Sequence, residues 1–168
     1  MAFAVTHILS TILLLDIFRN KFTKHKKKIK LSYIYIAGLF SIVPDFDYIL
    51  YWIIEKFTKI ELVHRMYSHS ILIPMIMLVF TSFMYNVKKK WGRISLLCTF
   101  AYFTHIILDY LVGWPPYAYF WPFISGEITF QLIPIWFKHW FWWAVLDTVF
   151  LVVWLLWELK NKKIKDFT

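Results

Sequence analysis

Five apolar runs separated by polar and basic segments organise this chain, at roughly Ala2–Phe18, Leu31–Ile54, Ser70–Tyr85, Ile94–Val112 and Trp140–Trp157. Each approaches the roughly 17–25 residues that a helix needs to cross about 30 Å of hydrocarbon. The third, at sixteen residues, is marginal and is expected to extend into its loop. Few of the runs alternate with period two, and glycine is nearly absent from their interiors, so the pattern predicts helices rather than barrel strands. The expected fold is all-α: a single polytopic membrane bundle over residues 1–168, with about five transmembrane helices. Between them lie basic inner loops at 19–30 and 86–93, a long aromatic outer loop at 113–139 and a basic tail at 158–168.

Composition agrees with that solvent. The chain is 60% hydrophobic and only 17% charged, against about 45–50% and about 25% for a soluble domain. A globule of this size buries only about 70% of its unfolded surface and would have no place to hide such an apolar load. An ordinary soluble enzyme, a disordered tail and a disulfide scaffold are thereby excluded; the lone Cys98 closes no internal bridge.

The net charge of +9 invites a nucleic-acid reading, but its distribution argues against one. Fifteen of the nineteen basic residues fall in 19–30, 86–93 and the tail, and only Lys56, Lys59, Arg65 and Lys138 lie in the alternate loops. This alternation predicts an external N-terminus and a cytoplasmic C-terminus by the positive-inside rule. The aromatic residues lie in the membrane and outer loops, away from the lysines, so no stacking platform for nucleic acid is expected. The first apolar run has neither a basic segment ahead of it nor a small-residue cleavage pattern after it. It is therefore expected to be an anchor rather than a cleaved signal peptide.

Within these runs sit residues that a plain anchor would lack: His7, Asp45, Asp47, His105, Asp109 and Asp147. Asp16 lies near Arg19 at an inner helix end. An aspartate at mid-membrane costs roughly 2.5–3.5 kcal/mol on insertion scales, so a neutralising cation is implied, either protons or a metal. At about 1.5 Å per residue, the orientation set by Lys and Arg alone brings all six to the outer half of the membrane. His64 and His69 fall in the outer loop just above them. One site is expected there.

Spacing adds chemistry. His105 and Asp109 are four apart and share a helix face, which suits chelation by nitrogen and oxygen. His64-Arg-Met-Tyr-Ser-His69-Ser packs two imidazoles, a guanidinium and hydroxyl groups into seven residues. Val-Pro44-Asp45-Phe-Asp47 follows a helix-breaking proline with two carboxylates, and both face the site only if Pro44 opens the turn. Mixed His and Asp ligation favours Zn²⁺, with Mn²⁺ or Fe²⁺ as alternatives. Each element has a plainer counterpart: His7 as an interfacial residue, His105 with Asp109 as a brace between helices, Asp45 as a helix cap, His64 and His69 as wet loop residues. Cys98 is assigned to the core, His25 to the solvated basic loop and His139 to the outer interface. The aromatic residues of Trp114–Trp140 fit an interfacial belt, with a lid as the alternative for so long a loop.

The order His7, Pro44-Asp45-Phe-Asp47, His64-Arg-x-x-Ser-His69-Ser, His105-x-x-x-Asp109, Gly113 and Trp121-Pro122-Phe123 resembles the YdjM-type membrane-bound metal-dependent hydrolases. More distantly it is similar to the zinc-dependent phospholipase C and P1-nuclease group. That resemblance implies His7, Asp45 or Asp47, His64 or His69, His105 and Asp109 as ligands of one or two ions, most simply zinc. A later His-x-x-x-Glu pair of those phosphoesterases is missing, because Trp143 stands four residues after His139. The activity implied is hydrolysis of a phosphoester or related bond in a lipid or other amphiphile at the outer leaflet of a prokaryotic inner membrane. The free one of Asp45 and Asp47 would act as base, Arg65 would steady the anion, and His69 would be a second ligand or protonate the leaving group. The rival expectation is a non-enzymatic membrane protein whose His/Asp cluster handles ions or protons or serves stability.

Overall fold

In the computed structural model, which describes residues 4–22, 28–58, 67–112, 120 and 140–161, the elements are helices: α1 (Ala4–Lys21), α2 (Leu31–Phe40), a 3-10 turn (Val43–Phe46), α3 (Asp47–Thr58), α4 (Leu72–Val87), α5 (Lys89–Val112) and α6 (Trp140–Asn161). No strand occurs among the described residues. Two stretches are long and apolar enough to cross a membrane, Leu31–Thr58 counted across its bend and Lys89–Leu111; Leu72–Val87 is apolar but shorter.

Four boundaries depart from the sequence pattern. The second apolar run is broken near its middle, because Pro44 has no N–H to give to a helical ladder. Bonds of i to i+3 type take over, from Ile42 N to Leu39 O at 3.4 Å and from Asp45 N to Ile42 O at 3.1 Å, and Ser41 Oγ donates to Gly38 O at 2.6 Å. The basic segment 86–93 is not a loop: Lys88 alone separates α4 from α5, and Lys89, Lys90 and Arg93 lie on the helix itself. Lysine and arginine are good helix formers. Gly92 removes the side chain that would collide with Tyr85, where an added Cβ would come within 2.5 Å of the ring. The expected loop at 19–30 is likewise shortened by α1 reaching Lys21, and α6 carries the start of the expected tail to Asn161. The rest of the tail and, apart from Phe120, the outer loop 113–139 lie outside the described residues.

The contacts set the helix directions. α4 and α5 form an antiparallel pair, in which Thr81 Oγ1 meets Ser95 Oγ at 2.7 Å and Thr99 Oγ1 at 3.3 Å. α2 runs alongside α5 in the same direction, with Leu31, Ile34 and Ala37 packed near Leu97 and Ala101 in one core cluster. α1 and α6 are also parallel. Thr6 meets Asp147 near their starts, and Tyr35 interacts with both Asp16 and Glu158 towards their ends. At that far end the basic segments approach one another, with Arg93 Nη1 reaching Lys28 O at 3.5 Å.

Polarity is distributed inside out. His7, Thr11, Ser41, His69, Ser70, His105 and Asp109 are buried, whereas Val79 is 74% exposed and Phe83, Val153 and Leu156 are exposed too. In water this would waste apolar surface. In lipid it is the expected arrangement, because the chain of each helix satisfies its own backbone and polar side chains must turn inward to find partners.

α1 and α2 approach closely at Gly38, where an added Cβ would sit 2.5 Å from Ile12 Cγ1. Gly38→Leu is expected to destabilise the detergent-solubilised protein by about 1–3 kcal/mol through overpacking, and Ile12→Ala in the same chain should restore part of the loss. Thermal unfolding of the two variants beside wild type checks this.

Candidate metal centre

Four elements deliver the cluster. His7 comes from the first turns of α1, Asp45 from the 3-10 turn that Pro44 imposes, His69 from the turn ahead of α4, and His105 and Asp109 from one face of α5. His7, His69, His105 and Asp109 are fully buried, while the Asp45 side chain keeps 21% exposure. The antiparallel α4–α5 pair and the parallel α2–α5 pair are what bring residues 24 to 64 positions apart to one level of the bundle.

His69 Nε2 lies 3.1 Å from His105 Nε2, 3.3 Å from Asp109 Oδ2 and 3.5 Å from Asp45 Oδ1. His105 Nε2 lies 3.6 Å from Asp45 Oδ1 and 3.8 Å from Asp109 Oδ2. Four of these five separations exceed the usual 2.7–3.2 Å of an N–H···O bond. They bracket instead the edge of a tetrahedron around one ion, because bonds of about 2.0–2.2 Å place four donors roughly 3.3–3.6 Å apart. Asp45, His69, His105 and Asp109 thus form a group that could hold a metal ion, with one donor atom from each inside 4.8 Å of the others.

His7 stands beside this group. Its ring stacks on His105 with centroids 3.9 Å apart, and its Nε2 is 3.5 Å from Asp109 Oδ1. Asp109 therefore turns one oxygen to His69 and His105 and the other to His7. Neither ring nitrogen of His7, nor His105 Nδ1, has a hydrogen-bond partner among the described residues, although both side chains are sealed from solvent. A buried polar atom without a partner costs roughly 1–3 kcal/mol, so the donor set fits a cation better than it fits a neutral brace between helices.

The remaining expected site residues divide. Asp47 lies outside the four-member group: its Oδ2 accepts a hydrogen bond from Ser68 Oγ, and Ser68 Oγ lies 2.9 Å from His69 Nδ1. His64 and Arg65 lie outside the described residues. Asp147 is buried outside the four-member group and accepts from Thr6 N at 2.9 Å and from Thr6 Oγ1. Thr6 is in the first turn of α1, where the N–H has no intrahelical acceptor, and a carboxylate there also opposes the positive end of the helix dipole. Asp147 thus caps α1 from α6, one residue before His7.

Three participants carry no signal of their own in the sequence. Ser68 reads as one hydroxyl in a polar loop, Thr6 as a residue near the chain start, and Tyr102, whose hydroxyl donates to Ser68 O, as an ordinary core aromatic. Only the run of hydroxyls around His69 hinted at the first.

A helical bundle with an apolar exterior and a buried His/Asp cluster defines the class: a membrane protein built around an internal polar site. The chain belongs to the YdjM inner membrane protein family, whose model matches residues 1–164. No curated protein and no solved structure matches it. The likeness to zinc phosphoesterases consequently rests on the residue order alone.

Replacing Asp147 tests the cap. Asp147→Ala should lower stability by roughly 1.5–3 kcal/mol, the usual loss for hydrogen bonds to a charged group. Asp147→Asn, which keeps an acceptor oxygen for Thr6 N–H, should lose less than half as much in thermal unfolding.

Proposed function

We propose that this protein is a membrane-embedded metal-dependent hydrolase acting on a phosphoester or related bond of a lipid or other amphiphile at the outer leaflet. The observation that carries the proposal is the convergence of Asp45 Oδ1, His69 Nε2, His105 Nε2 and Asp109 Oδ2, five of whose separations lie at 3.1–3.8 Å, close to the edge of a tetrahedron around one ion. Two imidazoles and two carboxylates favour Zn²⁺, a borderline-soft ion with no preference of its own for six oxygens. When bound, such an ion supplies an acidified water, with pKa near about 7, and polarises the bond to be cut.

The chain's own groups do the rest. His69, His105 and Asp109, all fully buried, would hold the ion, and His7 would support Asp109 from its other oxygen or ligate a second ion. Asp45, the partly exposed member of the four, would give up its place to the attacking water and take its proton. Arg65, four residues before His69, offers the forked donors that suit a phosphoryl group. The amphiphile is supported by an apolar cavity of about 180 Å³ lined by Ile71, Phe103, Ile106, Ile107, Tyr110 and Phe120. Two of these directly follow His105 and Asp109 in sequence, and Ile71 follows His69 by two. An external site with a cytoplasmic C-terminus and five crossings is supported by the alternation of basic segments and by the helix directions, with α1 and α6 parallel and antiparallel pairs between.

A second reading, ion or proton handling, draws on Asp16 and Glu158, both buried towards the other end of α1 and α6. A polar group in each half of the bundle is what a through-path requires.

Metal content by elemental mass spectrometry is the first test. Purified without chelators, wild type should carry close to one equivalent of a transition metal, and His105→Ala and Asp109→Asn should carry less than about a tenth. A wild-type protein below that level would overturn the hydrolase reading. Loaded protein is then assayed on phospholipids and polyprenyl phosphates; turnover that His105→Ala abolishes and Glu158→Gln retains supports the hydrolase, and metal-loaded protein that moves protons in vesicles without any turnover supports the second reading. Single cysteines at Lys89→Cys and Lys160→Cys, in a Cys98→Ser background, should react only with reagent on the cytoplasmic side.

A further inference from the structure

Asp47, Ser68 and His69 form a chain of contacts that ends inside the cluster. Ser68 Oγ donates to Asp47 Oδ2 and lies 2.9 Å from His69 Nδ1. Tyr102 OH donates to Ser68 O and so ties this turn to α5, three residues before His105. Asp47 opens α3 directly after the 3-10 turn that carries Asp45. The two carboxylates therefore engage consecutive residues, Asp45 with His69 and Asp47 with Ser68.

The chemistry of these groups sets the direction of each bond. A serine hydroxyl has one proton, and a carboxylate only accepts. Ser68 spends its proton on Asp47, which leaves only lone pairs on its oxygen facing His69. Nδ1 must then be the donor, so the neutral imidazole carries its proton on Nδ1 and a lone pair on Nε2. Nε2 is the atom that faces His105 Nε2, Asp45 Oδ1 and Asp109 Oδ2.

We propose that Asp47 and Ser68 are positioning residues that hold His69 in the tautomer able to ligate a metal through Nε2, by the bonds Asp47 Oδ2···H–Oγ Ser68···H–Nδ1 His69. This rests on the metal reading above. It removes Asp47 from the expected ligand alternatives and gives it a different task, and it assigns a role to Ser68. It also makes His69 a ligand rather than an acid, because its Nε2 has no proton to give a leaving group. Outer partners of metal-bound histidines commonly act in this way, and losing one weakens metal binding by about 10–100-fold.

The test measures zinc affinity by competition with a chromogenic chelator, on monodisperse detergent-solubilised protein. Ser68→Ala and Asp47→Ala should each weaken binding by about 10–100-fold. Ser68→Thr, which keeps the hydroxyl, should stay within about threefold of wild type, and Ser68→Ala with Asp47→Ala should be no weaker than either alone, since both act through one path. In protein labelled with ¹⁵N-histidine, the metal-loaded His69 should show a protonated Nδ1 and a metal-bound Nε2 in wild type, with that pattern lost in Ser68→Ala. Equal affinity of wild type, Ser68→Ala and Asp47→Ala would overturn the proposal while leaving the metal reading intact, as would additive losses in the double variant. A wild type that binds no metal would overturn both. If Ser68→Ala fails to fold, Asp47→Ala and Ser68→Thr decide the matter by the same comparison.

Discussion

Asp109 is fully buried on a helix whose surroundings are apolar, and its charge is the constraint that the site is organised to meet. An unpaired carboxylate in such a place costs several kcal/mol. Around it are three imidazoles, from α1, from the turn before α4 and from α5 itself. Each belongs to a different packing contact, so the helix directions, the bend at Pro44 and the cap on α1 all serve the same few cubic ångströms. A neutral hydrogen-bonded brace would not leave both His7 nitrogens without a hydrogen-bond partner among the described residues. A cation at the centre of the group would satisfy the charge and account for the spacing together.

The bundle holds this site with modest means. Its apolar core is small, centred on Leu9, Ile12, Ile34, Ala37, Leu97 and Ala101, because the outer faces of the helices need no partner but lipid. Close approach and interhelical polar contacts do the specifying: Gly38 against Ile12, Thr81 with Ser95 and Thr99, Asp147 with Thr6. Such contacts are directional, and they fix rotation and register where apolar packing against lipid would tolerate sliding.

Much of this was legible beforehand, and for identifiable reasons. Apolar runs of membrane length read directly as helices. Aspartate and histidine stood out because the surrounding composition makes them costly. Where the expectation slipped, the cause was local chemistry that a composition window averages away. The proline bend split one predicted helix into two, and lysines that look like a loop continue α5 almost without a break. Glu158 falls at the start of the expected basic tail but is buried, because α6 runs on past Trp157 beside α1.

By itself the sequence determined the helical class, the apolar solvent and the short list of residues able to bind a cation, since each depends on residue type and on spacing along one chain. It also paired His105 with Asp109, because four residues on a helix is a distance known in advance. Only the tertiary structure separated Asp45 from Asp47. Both follow Pro44 within three residues, yet one reaches His69 Nε2 and the other Ser68. That choice depends on where a segment more than twenty residues away comes to rest against the bend, and helix packing, not local pattern, decides it.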